Sequence, residues 1–189
     1  MNMKKTIIMM TLCLVAYCCP VQAQHLKFMG IPLNGTITQF QQKLTAKGVK
    51  YNKTTSELLP EGTRAFQGTF AGEKADIYVH YDPISKIVFN AKAVMTYASE
   101  SMCESKYDEF KQLLSSKYDA VEIPDYKDGH EVMNYVIKSE NATSLNDFMG
   151  YISIYILKEE TYFYEYTLHI EYADHQNTEK NVNSKMNDL

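Results

Sequence analysis

Tryptophan is absent from this chain of 189 residues, and the one long apolar run lies in its first 23 positions. Glycine and proline are sparse, at 8 and 5 residues, while 45% of positions are hydrophobic and 22% charged. Those proportions exclude a fibrous class and argue against disorder. The length suits one domain, or two small ones packed together, and lets a chain bury roughly 70% of its unfolded surface without covalent staples.

The apolar run Ile7 to Ala16 follows Lys4 and Lys5 and leads to Val21-Gln22-Ala23, with small residues where a signal peptidase reads. It is shorter than the roughly 20 residues that span a bilayer. The expectation is a secretory signal peptide over 1–23, cleaved after Ala23, and a periplasmic or extracellular mature chain with no transmembrane segment. Cys18 and Cys19 raise a lipid anchor as the alternative, but bulky Tyr17 stands where a lipoprotein signal wants a small residue. Cleavage would leave 17 basic and 23 acidic residues, a net charge of −6. That balance argues against nucleic acid, which needs a basic footprint. It would also leave Cys103 as the sole cysteine, so no internal disulfide is expected.

What the chain does have is a stretch of period-2 alternation from Gly150 to Tyr172, interrupted by the polar Lys158-Glu159-Glu160-Thr161. Ile152, Ile154 and Ile156 share one face of the first strand; Tyr162, Tyr164, Tyr166, Leu168 and Ile170 share one face of the second. Alternation of this kind is a sheet signal. A hairpin alone is marginal in water, so other elements must cover its apolar side.

Those elements can be read in order. Gln24 to Asn34 reads as a short loop lead-in punctuated by Pro32. Thr36-Ile37-Thr38-Gln39 has the form of a capping box, and Ile37, Phe40 and Leu44 follow at helical spacing up to Gly48, which predicts a helix over Ile37 to Lys47. Val49 to Thr63 reads as a polar connection. Strands are expected at Arg64 to Phe70, Ala75 to Tyr81 and Lys86 to Ala98, the last with Ile87, Phe89, Ala91, Ala93, Met95 and Tyr97 on one face. The plan then repeats. Ser101-Met102-Cys103-Glu104 resembles a second capping box, and Tyr107, Phe110, Leu114 and Lys117 match Ile37, Phe40, Leu44 and Lys47 at a constant offset. Strands follow at Val132 to Lys138, Phe148 to Leu157 and Tyr162 to Tyr172. The fold expected is α+β: two tandem α-β-β-β units over 24–98 and 99–175, antiparallel sheet with helices packed on one face, and a polar tail over 176–189 that could form a short helix.

No GxSxG, P-loop or dinucleotide fingerprint is present, and no cofactor is expected. Cys103 falls in the first turn of the second helix, where the positive end of the dipole favours a thiolate, yet no histidine motif accompanies it. His169, Glu171, Asp174 and His175 form the best metal-like cluster, with spacing that fits no established zinc pattern. Asn34, Asn52 and Asn141 begin glycosylation sequons, informative only in a eukaryotic secretory pathway. The aromatic signal is stronger, with 15 tyrosines. If the apolar face of the hairpin lies under helices, the other face presents Tyr151, Tyr155, Phe163, Glu165 and His169, and the strand Ala75 to Tyr81 adds Tyr78 and His80. Rigid aromatics with a polar tip are suited to recognition.

His25-Leu-Lys-Phe-Met-Gly-Ile-Pro-Leu-Asn-Gly-Thr36, with Phe40, Leu44 and Lys47-Gly48, resembles the start of small exported proteins of Bacteroides-type bacteria, a group of unknown function. Tyr107, Phe110, Leu114, Lys117-Tyr118, Tyr172-Ala-Asp174 and Asn177 are similar to its later landmarks; Asp119 and Cys103 depart from them. The tandem plan also resembles the architecture of the β-lactamase inhibitor protein, whose sheet face grips another protein, although the disulfides expected there are missing. These likenesses imply a compartment and a fold, and no activity. The sequence-level reading is an exported, non-enzymatic binding module for a protein or glycan, with a small hydrolase or metal-binding enzyme and a structural envelope component as alternatives.

Overall fold

A computed structural model describes residues 24–127, 130–139, 147–160 and 164–187. The expected signal peptide and Phe163 lie outside them. The described residues form β1 (Lys27–Phe28), β2 (Ile31–Pro32), α1 (Ile37–Ala46), β3 (Lys50–Asn52), α2 (Lys53–Leu58), β4 (Thr63–Phe70), β5 (Glu73–Tyr81) and β6 (Val88–Tyr97). There follow α3 (Glu100–Lys117), β7 (Ala120–Lys127), β8 (His130–Lys138), β9 (Phe148–Glu160), β10 (Tyr164–Asp174) and α4 (His175–Asn187). Eight strands make one continuous antiparallel sheet in the order β3-β4-β5-β6-β10-β9-β8-β7. The fold is α+β.

The apolar side of the sheet follows from alternation. Ile77 and Val79, Ala91, Ala93 and Met95, Leu168 and Ile170, and Ile152 and Ile154 are all fully or almost fully buried. They share one cluster with Ile37, Phe40 and Leu44 of α1 and Cys103, Phe110 and Leu114 of α3. Helix α1 starts at the expected capping box: Thr36 Oγ1 accepts from the Gln39 N–H at 3.4 Å, and Gln39 Oε1 accepts from the Thr36 N–H at 3.1 Å. Past its end Gly48 takes φ +84°, a conformation that suits glycine. The cap of α3 is not at Ser101 as its spacing suggested. Ser99 holds it, with an extended backbone (φ −145°, ψ 153°) and its Oγ accepting from the Met102 N–H at 3.3 Å.

Three segments depart from their sequence signals. The lead-in reads as loop, yet Leu26, Phe28, Ile31 and Leu33 are 0–3% exposed. The small β1–β2 hairpin turns through Met29 (φ 51°) and Gly30 (φ 75°) and places the Phe28 ring 5.3 Å from both the Phe70 and Tyr172 rings. Strand β7 carries Pro124 and mostly exposed residues, which masks it; as the outer strand of the sheet it tolerates proline. The polar connection after Val49 contains β3 and α2, neither with a fully buried side chain. A register shift between β5 and β6 at His80/Tyr81 also turns Phe89 away from the Ala91 face, leaving its ring 6.5 Å from that of His80.

Helix α4 is fastened by buried polar groups. Asp174 is wholly buried and accepts from the Leu26 N–H (3.0 Å) and the Asn177 N–H (3.1 Å), with His25 Nδ1 also at 3.0 Å. Asn177 Nδ2 donates to the Leu33 carbonyl at 2.6 Å, and Asn181 Nδ2 to Asp82 Oδ2 at 2.8 Å. The lead-in, the end of β10 and the β5–β6 turn are therefore held together through α4.

Candidate functional site

The face of the sheet opposite its buried apolar side is set by strand register, because residues paired across neighbouring strands project to the same side. One row runs Ile123–Asn134–Ser153–Glu171–Lys92–Tyr78 across six strands. The adjoining rows hold Asp125, Val132, Tyr155 and His169 on one side, and Val136, Tyr151, Asn90 and His80 on the other. Over β7–β10 this face encloses a trough of about 690 Å³. Val132, Val136 and Leu157 give it an apolar floor, and Tyr151, Tyr155 and Glu171 line the same space with Asn134, Ser153 and Asp125.

The expected residues fall out as follows. Tyr151, 38% exposed, and Tyr155 line the trough. The Tyr155 ring stacks on His169 with centroids 4.8 Å apart and planes at 18°, and its hydroxyl donates to Glu171 Oε2 at 3.5 Å. His169 is buried, with Nε2 2.9 Å from the Thr167 hydroxyl. Burial, with the nearby charges of Lys92 and His130, pulls its pKa down from 6.5 to about 3, so the ring is neutral. Tyr78 and His80, both on β5, sit on the same face but three strands from β9, outside the trough. Lys92 Nζ lies 5.8 Å from the Tyr78 ring centroid, and His80 Nδ1 lies 3.1 Å from the Thr63 hydroxyl. Burial lowers the His80 pKa, against the opposing pull of Glu171. Glu165 shares the face but is exposed near the start of β10, well away from Glu171 along the strand.

Glu171 organises the centre. Its Oε1 accepts from Asn90 Nδ2 at 2.6 Å and its Oε2 from Tyr155. After burial, its charge is the next cause raising the Tyr151 and Tyr155 hydroxyls above the ordinary tyrosine range. Asn134 Oδ1 accepts from the Ser153 hydroxyl at 2.6 Å on the strands beside it. Asn90, Asn134 and Ser153 were not singled out in the sequence. The signal was available: the parity that gives Tyr151 and Tyr155 gives Ser153 between them, and the same parity on β8 gives Asn134.

The metal-like cluster does not assemble. Asp174 points into the fastening of the lead-in and α4, and His175 stacks on Phe148 at 4.0 Å. Among the described residues no three His, Cys, Asp or Glu side chains converge to hold a metal ion. Cys103 is fully buried, and burial followed by the Glu104 charge pushes its thiol up to about 11. The helix dipole does not prevail there, because desolvation of a thiolate outweighs it.

Comparison with protein-family models, curated proteins and solved structures finds no match. No helix among the described residues is long and apolar enough to cross a membrane.

Proposed function

We propose that this chain is an exported, non-enzymatic binding module whose open sheet face holds a protein or glycan ligand. The observation that carries the reading is the trough over β7–β10, where apolar side chains, two tyrosines and a hydrogen-bonded carboxylate line one space. Ligand sites combine such apolar area with a few placed polar groups. Export rests on the Lys4 to Ala23 pattern. The two halves, each a helix followed by strands that pair in order outward from the β6–β10 seam, support a reading as two tandem units.

Immobilised chain should capture a saturable partner from envelope or culture-medium extracts. Tyr151→Ala with Tyr155→Ala should abolish capture while leaving the circular dichroism spectrum unchanged. Undiminished capture by the double variant would remove the sheet face from the account.

A further inference from the structure

The trough is acceptor-rich. Glu171 is half-buried, and among the described residues it forms no ion pair within 4.0 Å. Lys92 stands opposite it in the β6–β10 register, but its ammonium is directed over the Tyr78 ring. Asp125 supplies a second carboxylate at the outer wall; His130 also lines the space, and no Lys or Arg is among the described residues that do. His169 beneath Tyr155 is neutral and adds no positive charge. Beside Glu171, the Asn90 amide gives its N–H to the carboxylate, which turns Oδ1 the other way. That oxygen is buried and has no hydrogen-bond partner, in a side chain only 6% exposed. A half-buried carboxylate without a counter-charge favours a cation that can supply one.

We infer that the trough receives the protonated side chain of a lysine from a protein partner, with the ammonium at Glu171 and the methylene stem along Val132, Val136 and Leu157. This rests on the binding-module reading and specifies its ligand. An ammonium matches the geometry better than a guanidinium. Each oxygen of Glu171 already accepts one hydrogen bond, from Asn90 and from Tyr155, so the carboxylate does not offer the free two-oxygen edge that a guanidinium fork uses. A point charge with three rotatable donors needs no such edge. The Tyr155 and Tyr151 rings add faces that attract a cation. The four-carbon stem of lysine brings apolar surface to the apolar floor while its charged end meets the acid.

The test is a titration of the full chain, followed by NMR, with Nα-acetyl-lysine N-methylamide and with its neutral norleucine isostere. The lysine compound should bind roughly tenfold or more tightly than the isostere, with shifts centred on Ser153, Tyr155 and Glu171. Glu171→Gln keeps an acceptor for Asn90 and should erase that preference; Asp125→Asn, on the exposed outer strand, is the second variant and should reduce it. Circular dichroism confirms that both fold. Equal binding of the two compounds, or a preference untouched by both variants, overturns the lysine inference and leaves the binding-module reading standing. Binding of neither compound, with partner capture still lost in the Tyr151/Tyr155 double variant, also overturns the lysine inference alone. Loss of the binding-module reading is a separate result: capture unchanged by that double variant.

Discussion

The Tyr155 ring lies flat on His169, 4.8 Å between centroids, so one aromatic wall of the trough rests on a buried, neutral imidazole. One nitrogen of that imidazole meets the Thr167 hydroxyl, and Nδ1 is buried without a partner. The stack couples the shape of the trough to the protonation state of one ring.

That coupling predicts a pH dependence. The folded-state pKa of His169 is lowered to about 3 from 6.5, so the unfolded chain takes up this proton first. The stabilising contribution is complete above about pH 6.5 and is lost as pH falls from there towards 3, at up to about 1.4 kcal/mol per pH unit. His80, also lowered, acts in the same direction, and Asp82, whose carboxyl is lowered by hydrogen bonds from Ser85, Asn181 and Ile84 that outweigh its burial, adds a loss only at still lower pH. Urea midpoints measured between about pH 7 and pH 4.5 should decline, and His169→Gln should flatten the decline. A slope unchanged by that substitution would assign it to other groups.

The lead-in should behave as core. Phe28 is 0% exposed and packs against Phe70 and Tyr172, so Phe28→Ala should cost about 3–5 kcal/mol by chemical denaturation. A loss below about 1 kcal/mol would mean that the hairpin is a detachable flap.

Gly150 should resist any side chain. A Cβ there would collide with the Ala173 carbonyl oxygen on the paired strand β10. Gly150→Ala should therefore destabilise the chain by about 1–3 kcal/mol or more, because backbone, not a flexible tip, must move. A neutral result would show that the β9–β10 pairing relaxes at its end.

The parts of the fold legible in the sequence are those whose residues are buried on one side only. The alternation of Ile152, Ile154, Leu168 and Ile170 and the helical spacing of Phe110 and Leu114 each point to a single covered face, and each element is found where that pattern lies. Strand β7 was hidden because an outer strand exposes Val121, Ile123 and Tyr126 and can hold Pro124, so it carries no burial signal. The lead-in was hidden for the opposite reason: its apolar residues fill the core from a hairpin too short for periodicity to register. At the candidate site, parity alone placed Tyr151, Tyr155 and His169 on one face, but separation across strands depends on sheet order. That order puts Tyr78 and His80 outside the trough and brings Asn134 and Asn90 close to Glu171.

Cys103 should be inert in the native protein. With its thiol buried and its pKa raised to about 11, it should react with a thiol reagent near pH 8 only at the rate of unfolding. Cys103→Ser should leave binding unchanged. Rapid labelling of the folded chain would contradict the packing described for α3.

The most direct test compares partner capture by four chains: wild type, Tyr151→Ala with Tyr155→Ala, Glu171→Gln, and Leu113→Ala on the exposed side of α3. Wild type and Leu113→Ala should capture the same partner with equal affinity, while the double tyrosine variant loses it and Glu171→Gln weakens it. Capture lost with Leu113→Ala and kept by both trough variants would place recognition on the helical side and contradict the account.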